Sequence, residues 1–269
     1  VIYALSSGVS LGALLLAGIL PATLMTLSLA IMVYLHARKR DDLRETPSSP
    51  AVIARTAAAA FPALLTPFLL IGGILGGVFT PTEAAAVSVS YVFLLGVMSG
   101  RLRPGLLWRT MVEAAMTTGS VLLIVASASL FSWVIALERG PELLSTLLLG
   151  ATQNPVIFLL MVNLIALIVG MVVDPTSALL ILVPILLPAA ASFGIDPLHF
   201  GMIMIVNLMI GLLTPPVGIV LFVMSSVAEM PYREVVKGTS PFLIPLMIVL
   251  FLLTFLPQIS LFLPRQFGF

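Results

Sequence analysis

The sequence contains no cysteine and few charged residues. Without cysteine, the chain has no disulfide bond, no thiol nucleophile and no thiolate metal site. Charged residues occupy 9% of the 269 positions, whereas a typical soluble domain has roughly 25%. The chain therefore has too few polar groups to cover the surface of a soluble protein, and its net charge of +1 provides no basic face for nucleic acid.

Most of what is present is apolar. Hydrophobic residues make up 60% of the chain, and its mean hydropathy is +1.23. The 20 glycines and 20 prolines also fit membrane helices, in which both residues are commoner than in soluble ones. We therefore expect an all-α integral membrane protein. The first residue is valine and no signal peptide is recognisable, so we expect the chain to begin partway through a longer polypeptide.

Several stretches have the apolar character of membrane-spanning helices, which need about 20 mainly apolar residues. They are residues 11–35, 61–79, 84–99, 119–137, 199–228 and 241–263. A further apolar stretch, 142–196, carries a single internal charge at Asp174. Residues 36–50 predict a polar loop, and residues 105–116 predict an amphipathic helix at the membrane interface.

Lysine and arginine residues mark the loops that face the cytoplasm. Three groups of them all lie on the cytoplasmic side only if residues 142–196 enter the membrane and return as a re-entrant hairpin, or cross it twice. Counting the crossings does not separate these alternatives, because both return the chain to the same side. The groups are Arg38, Lys39, Arg40 and Arg44; Arg101, Arg103 and Arg109; and Arg233 and Lys237.

Six positions carry the signature of a helix start, in which a capping residue precedes proline at the first helical position. They are Thr80-Pro81, Asn154-Pro155, Asp174-Pro175, Asp196-Pro197, Thr214-Pro215 and Ser240-Pro241. Asp174 and Thr214 differ from the others because apolar runs lie on both sides of them. Non-helical backbone at membrane depth is tolerated only where protein buries it or water reaches it, so these two positions predict a functional site.

The chemistry of such breaks suits ions of both signs. Carbonyls and hydroxyls of Thr176, Ser177 and Thr214 suit a hard cation such as Na⁺, and the two helix starts suit an anionic group through their partial positive charge. Paired discontinuous helices indicate the binding site of a secondary transporter.

Structural alternatives exist for each of these residues. Asp174 is alternatively a cap in a surface turn between two full spans, and "TPPVG" (214–218) is alternatively a simple proline kink. For Asn163 and Asn207, we favour hydrogen bonding between neighbouring helices slightly over ligand binding. Two further polar residues receive structural interpretations: Glu83 as a capping carboxylate, and His199 as a third-position residue at a surface helix start.

Five strings, in order and at consistent spacing, give the chain a specific resemblance to a known family. The sequence resembles the C-terminal part of the large membrane subunit of TRAP transporters, the tripartite ATP-independent periplasmic transporters of bacteria and archaea. The strings are "IYALSSGVSLGALLLAGILPA", "GGVFTPTEAAAVSVSY", "GMVVDPTSALLILVPILLPAA", "GIDPLHFGMIMIVNLMIGLLTPPVGIVLFV" and "FLPQISLFLPR".

The resemblance implies a fold and an activity. The fold would be an elevator-type transporter of two inverted repeats, each with a re-entrant hairpin and a broken helix. The activity would be Na⁺-coupled uptake of an organic anion, such as a C4-dicarboxylate or sialic acid, across a bacterial or archaeal inner membrane. The implied partners are a small TRAP membrane subunit, a periplasmic substrate-binding protein and the lipid bilayer. Neither an enzymatic activity nor an organic cofactor is implied.

The resemblance also implies the residues of the site. The hairpin tip would lie at 174–178 and the break at 214–218, and together they would form the second Na⁺ site and one wall of the substrate site. The expected substrate-binding residues are Asp174, Pro175, Thr176, Asn207 and Pro216. The expected Na⁺ ligands are Asp174, Thr176, Ser177, Gly211, Thr214 and Gly218.

Four parts of the chain follow from this interpretation. Residues 1–60 hold a spanning helix, a cytoplasmic loop and a connecting arm, and residues 61–118 hold two spanning helices and an interfacial connecting helix. The transport domain would be 119–230, followed at 231–269 by an interfacial helix and a spanning helix. The family's large subunit has a further third or more before this point, including the first hairpin and first Na⁺ site, so this chain alone is not expected to transport.

Two other functions remain as alternatives. A non-transporting structural membrane subunit or a degenerate remnant would account for the missing front part. A membrane hydrolase is a weaker hypothesis, because the sequence has no HExxH motif and no paired catalytic carboxylates.

Overall fold

The computed structural model describes residues 1–38, 49–100, 102–138, 146, 150 and 152–269. These residues form eleven helices and no strand, which confirms the predicted all-α fold. The helices are α1 (Ile2–Ser7), α2 (Leu11–Ala37), α3 (Pro50–Leu75), α4 (Pro81–Met98), α5 (Pro104–Leu137), α6 (Pro155–Val172), α7 (Pro175–Ser192), α8 (Pro197–Gly211), α9 (Ile219–Val227), α10 (Tyr232–Phe255) and α11 (Gln258–Gln266).

Seven of the helices in the described ranges are long and apolar enough to cross a membrane. They are α2, α3, α4, α5, α6, α7 and α10. The shortest of them have 18 residues and are therefore about 27 Å long, close to the ~30 Å of a bilayer's hydrocarbon core. The chain is thus a multi-span helical membrane protein. Four of the predicted cytoplasmic residues, Lys39, Arg40, Arg44 and Arg101, lie outside the described residues, as does most of the predicted loop at 36–50.

Five helices begin with a capping side chain that accepts a backbone N–H, followed by proline at the first helical position. The caps are Ser49 of α3, Thr80 of α4, Asn154 of α6, Asp174 of α7 and Asp196 of α8. The last four confirm predicted starts. Ser49-Pro50 carries the same signature inside the predicted loop, which is why α3 begins at Pro50 rather than at residue 61.

The start of α4 is a complete capping box. The N–H of Glu83 donates to the Thr80 hydroxyl at 3.4 Å, and Glu83 Oε2 accepts the Thr80 N–H at 2.8 Å. Two otherwise unpaired donors are satisfied reciprocally. The interpretation of Glu83 as a capping carboxylate is confirmed.

The predicted helix start at Ser240-Pro241 is wrong. α10 begins at Tyr232 and runs through Pro241 and Pro245. The Ser240 hydroxyl donates backward to the Val236 carbonyl at 2.6 Å, so it does not cap a new helix. Proline is tolerated inside membrane helices because nearby groups satisfy the freed backbone atoms. The predicted span at 241–263 instead ends at Phe255, two residues before Pro257.

The predicted separation of an interfacial helix at 105–116 from a span at 119–137 is also wrong. α5 is one continuous helix of 34 residues, Pro104–Leu137. Gly119 lies inside it, and a single glycine costs a helix only about 1 kcal/mol relative to alanine. No proline follows Pro104 within α5, so nothing in this segment forces an interruption.

One compact unit comprises Val1–Arg38 and Val121–Phe269, and its core is centred on α8. Twelve of the 15 residues of α8 are buried, and the helix packs against α2, α6, α7, α10 and α11. A helix that is apolar on every side is typically buried in this way. Along the direction of the chain, α6 and α8 approach each other at their C-terminal ends, where both helices stop.

The N-terminal end of α8 corrects one expectation. His199 occupies the third helical position, as predicted, but it is buried rather than on a surface, with 2% of its area exposed. Its Nδ1 lies 2.8 Å from Ser260 Oγ of α11. This contact fixes the C-terminal helix against α8.

The other compact unit comprises Lys39–Ser120. In its described part, α3 and α4 pack against each other, and the Tyr91 hydroxyl donates to the Pro62 carbonyl at 2.8 Å. No residue of α3 is buried, and in α4 only Ala84 and Ser88 are. The outer faces of this pair are therefore apolar and exposed, as expected of helices that contact lipid.

Candidate functional site

The turn between α6 and α7 is built around Asp174. Its Oδ1 accepts the N–H groups of Thr176 at 2.9 Å and Ser177 at 3.2 Å, and its Oδ2 accepts the Ser177 hydroxyl. Both carboxylate oxygens are therefore used within the turn. The side chain of Asp174 is exposed and those of Thr176 and Ser177 are half-buried, so the tip presents a polar group that is already hydrogen-bonded.

Asp174→Ala is expected to destabilise the start of α7 by about 0.5–2 kcal/mol, the usual cost of losing a helix cap. Thermal melting of the purified protein in detergent measures the loss. Asp174→Asn is the matched control, because its amide oxygen still accepts a backbone N–H and should preserve most of the stability. Equal melting temperatures for the alanine variant and the wild type would contradict this role.

The chain between α8 and α9 is a true break rather than a kink. After Gly211, the last residue of α8, two hydrogen bonds span three residues instead of four. They run from the Leu213 N–H to the Ile210 carbonyl at 3.0 Å and from the Thr214 N–H to the Gly211 carbonyl at 2.9 Å. The next helix begins only at Ile219, after Gly218, whose φ of 56° lies in the left-handed region. Glycine adopts this conformation without the steric cost of a side chain.

The predicted helix start at Thr214-Pro215 is therefore wrong. The Thr214 hydroxyl donates backward to the Ile210 carbonyl at 2.8 Å and does not cap a following helix. A residue before proline is pushed away from helical backbone angles. Pro216 thus prevents Pro215 from being the first residue of a helix, and the chain stays irregular until Gly218.

The hairpin tip and the break lie next to each other. The Gly218 N–H donates to the Met171 carbonyl at 3.1 Å, which joins the break to the last turn of α6. One residue before Met171, the backbones of Gly170 and Gly211 touch, so that a Cβ on Gly211 would lie 2.8 Å from the Gly170 Cα. Small residues allow such close approach of membrane helices. The two interruptions predicted from the sequence thus form one local structure.

Carbonyl oxygens cluster at the break around Gly218. The Leu212 and Thr214 carbonyl oxygens lie 3.2 and 3.1 Å from the position that a Cβ on Gly218 would take. Leu221 Cδ1, the end of a flexible side chain, lies closer to the same position, at 2.8 Å, and the Leu212 carbonyl also accepts the Val220 N–H at 3.3 Å. Oxygen atoms are the ligands that hard cations prefer, and carbonyls of unwound helices coordinate Na⁺ in secondary transporters.

The donor set fits Na⁺ better than a transition metal. Within the part of the chain that the structure describes, no group of three or more His, Cys, Asp or Glu side chains could hold a metal ion. Gly211, Thr214 and Gly218, three of the expected Na⁺ ligands, all belong to the break or its edge. The others, Asp174, Thr176 and Ser177, lie at the adjoining tip.

The asparagines form a buried ladder between three helices. Asn207 Nδ2 of α8 donates to Asn163 Oδ1 of α6 at 2.7 Å, and Asn163 Nδ2 donates to the Thr254 hydroxyl of α10 at 2.9 Å. The interpretation that both asparagines bond neighbouring helices is confirmed. Asn207 lies one turn before Gly211 and is fully buried. Its role in substrate binding stays a prediction, as do those of Pro175 and Pro216 and the four-part division of the chain.

Three residues of this local structure are not predicted by the sequence. Met171 contributes only a main-chain carbonyl, which any residue provides, so its side chain carries no signal. Gly170 is a lone small residue in an apolar helix, and its contact depends on how α6 meets α8. Tyr232 donates to two carbonyls of the break at 2.8 Å, although it lies outside the break, in the stretch predicted to begin with an interfacial helix.

Long apolar helices, with a hairpin tip set against a broken helix, are typical of secondary transporters. The chain belongs to the family described as the tripartite ATP-independent periplasmic transporter, DctM component, which matches residues 1–259. The resemblance inferred from the five strings is confirmed. The protein is accordingly a multi-pass protein of the inner membrane.

Similar proteins transport different molecules according to their names. The chain is 42% identical over 99% of its length to the sialic acid TRAP transporter large permease protein of Vibrio cholerae, covering 63% of that protein. It is 37% identical over its full length to the C4-dicarboxylate TRAP transporter large permease protein of Pseudomonas aeruginosa, again covering 63%. It is 36% identical over 96% of its length to the 2,3-diketo-L-gulonate TRAP transporter large permease protein of Escherichia coli, covering 61%. The chain thus spans about three fifths of the length of these relatives.

Proposed function

We propose that this chain is the part of a TRAP large permease that binds Na⁺ and one side of an organic anion during uptake across the inner membrane. The observation that carries the proposal is the hydrogen bond from the Gly218 N–H to the Met171 carbonyl, at 3.1 Å. It joins the hairpin tip to the broken helix, so that an ion bound at one of them affects the position of the other.

The cation would bind at the carbonyl oxygens of the break. The Leu212 and Thr214 oxygens lie near Gly218 together with Leu221 Cδ1, the end of a side chain that would rotate away as the cation binds, and the oxygens of Asp174, Thr176 and Ser177 lie on the adjoining tip. The negative ends of the carbonyl dipoles would attract a cation there. Bound Na⁺ would thereby stabilise the contact between the tip and the break.

The anion would bind near the start of α9 rather than at the start of α7. At α7 the first N–H groups are already bonded to the Asp174 carboxylate, whose negative charge opposes a second anion. At α9 the Gly218 and Val220 N–H groups donate to neutral carbonyls, those of Met171 and Leu212, and no side chain caps the helix, so its partial positive charge is not offset by a capping acid. Pro216 lies two residues before Gly218, and Asn207 is buried in α8, one turn before Gly211.

Coupling would follow from the order of binding. Na⁺ fixes the tip against the break and completes the wall that the anion contacts, so the anion binds tightly only to the Na⁺-loaded form. Binding free energies are reciprocal, and the anion would therefore raise the affinity for Na⁺ by the same factor. Movement of the loaded part past a fixed scaffold would then carry both across the membrane.

The substrate would be a carboxylate, such as a C4-dicarboxylate or sialic acid, because relatives that cover the whole chain are named for sialic acid and C4-dicarboxylate. The proposed partners are a small TRAP membrane subunit and a periplasmic substrate-binding protein that delivers the anion.

The test is uptake by the complete transporter in proteoliposomes as a function of Na⁺ concentration. Replacing Na⁺ by K⁺ is expected to abolish uptake, and Asp174→Ala combined with Thr214→Ala is expected to raise the half-saturating Na⁺ concentration about thirtyfold, because each change removes a hydrogen bond worth about 1 kcal/mol. Asn154→Ala with Thr26→Ala is the matched control, because it removes a cap and a backward-bonded hydroxyl that do not contact the break. Uptake that is indifferent to Na⁺, or equal shifts in both double variants, would refute the assignment.

A further inference from the structure

Tyr232 connects three segments of the first compact unit. It is the first residue of α10, and its hydroxyl lies 2.8 Å from both the Pro216 and the Val217 carbonyl oxygens. Its ring stacks on Phe222 of α9, with 4.5 Å between the ring centroids and 21° between their planes. The start of α10, the break and α9 therefore meet at one side chain.

The carbonyls that Tyr232 contacts belong to irregular backbone. Pro216 and Val217 lie between the end of α8 and the start of α9. The N–H groups four residues further on, those of Val220 and Leu221, donate instead to the Leu212 and Gly218 carbonyls. A tyrosine hydroxyl has one proton to donate, and here two acceptors share it. In a membrane, where lipid offers no donor, such a partner is needed to keep the backbone in this conformation.

The position of these carbonyls bears directly on the proposed ion site. Val217 immediately precedes Gly218, whose N–H bonds Met171 and whose Cβ position would lie 3.2 and 3.1 Å from the Leu212 and Thr214 oxygens. A shift of the peptide at 216–217 would move Gly218 and change the spacing of those oxygens.

We propose that Tyr232 is a positioning residue for Na⁺, which holds the break in its ion-binding geometry through the bonds from its hydroxyl to the Pro216 and Val217 carbonyls. The inference rests on the proposed Na⁺-coupled transport. Tyr232 does not touch the ion; it acts through the backbone that carries the ligands. The stacked ring fixes where the hydroxyl lies, and the hydroxyl fixes the break.

Tyr232→Phe separates these two contributions. Phenylalanine keeps the stacked ring and removes only the hydroxyl, so the fold and the packing of α9 on α10 are retained. In the complete transporter, reconstituted in proteoliposomes, the half-saturating Na⁺ concentration is expected to rise about threefold to tenfold, the effect of losing one hydrogen bond. Uptake at saturating Na⁺ is expected to stay close to that of the wild type.

Tyr91→Phe is the matched control. The Tyr91 hydroxyl also donates to a proline carbonyl at 2.8 Å, that of Pro62, but both residues lie in the other compact unit. This variant should leave the Na⁺ dependence unchanged. An unchanged half-saturating Na⁺ concentration in Tyr232→Phe would overturn the proposal, and so would a loss of maximal uptake with no shift in Na⁺ dependence, since that is the result of a merely structural role. Wild-type uptake without Na⁺ dependence would instead refute the proposed function itself.

Discussion

Gly211→Ala is expected to reduce Na⁺-dependent uptake by the complete transporter about tenfold to hundredfold, because overpacking at a tight contact costs about 1–3 kcal/mol. A Cβ at this position would lie 2.7 Å from the Gly170 carbonyl carbon and 2.8 Å from its Cα. Both are backbone atoms, so no side chain can rotate away. α6 must move off α8, which pulls Met171 from Gly218 and separates the tip from the break.

Two further glycine variants make this prediction specific. Gly170→Ala is expected to have a smaller effect, because its Cβ would lie 3.0 Å from the Leu208 carbonyl oxygen and 3.2 Å from the Leu208 Cα. Gly238→Ala in α10 meets nothing within 4 Å and should be harmless, since alanine favours a helix by about 1 kcal/mol. The same uptake in Gly211→Ala and Gly238→Ala would show that the contact between α6 and α8 does not matter for transport.

Gly218→Ala is expected to raise the half-saturating Na⁺ concentration at least tenfold. Two effects combine at this position. The φ of 56° costs a residue with a side chain about 1–2 kcal/mol, and the new Cβ would lie 2.8 Å from Leu221 Cδ1 and 3.2 and 3.1 Å from the Leu212 and Thr214 oxygens. The added methyl group would occupy the position in which we propose that the cation binds.

Gly194→Ala separates strain from crowding. Gly194 has a φ of 71°, and nothing lies within 4 Å of its Cβ position. This variant should lower the melting temperature through backbone strain and leave the Na⁺ dependence of uptake unchanged. If Gly218→Ala lowered the melting temperature by as much as Gly194→Ala does, without altering the Na⁺ dependence of uptake, the surroundings of Gly218 would have no role in binding the ion.

Local signals in the sequence predicted much of the fold. A capping residue followed by proline correctly marked the starts of α4, α6, α7 and α8, because the cap satisfies free N–H groups and proline lacks one. The same signature predicted helix starts at Thr214 and Ser240 that are wrong. There the hydroxyl bonds to the carbonyl four residues earlier, and a short pattern does not show which of its two backbone partners a hydroxyl will choose.

The site could be predicted less completely. That two interruptions exist follows from Asp174-Pro175 and from the proline pair at 215–216, since an acidic cap before proline favours a helix start and adjacent prolines disfavour a continuous helix. That the two interruptions meet depends on the contact between Gly170 and Gly211 and on a main-chain carbonyl at Met171. These contacts are tertiary features. They involve glycines, which have no side chain, and a main-chain carbonyl, so the residue types in the sequence do not indicate them.

The most direct measurement is a structure of the complete transporter determined in Na⁺ and compared with one determined in K⁺. We expect density for an ion between the carbonyl oxygens of residues 212 and 214, in contact with the tip that begins at Asp174, in the Na⁺ structure alone. An empty break in Na⁺, or an ion bound elsewhere while the tip stays apart from Gly218, would contradict it.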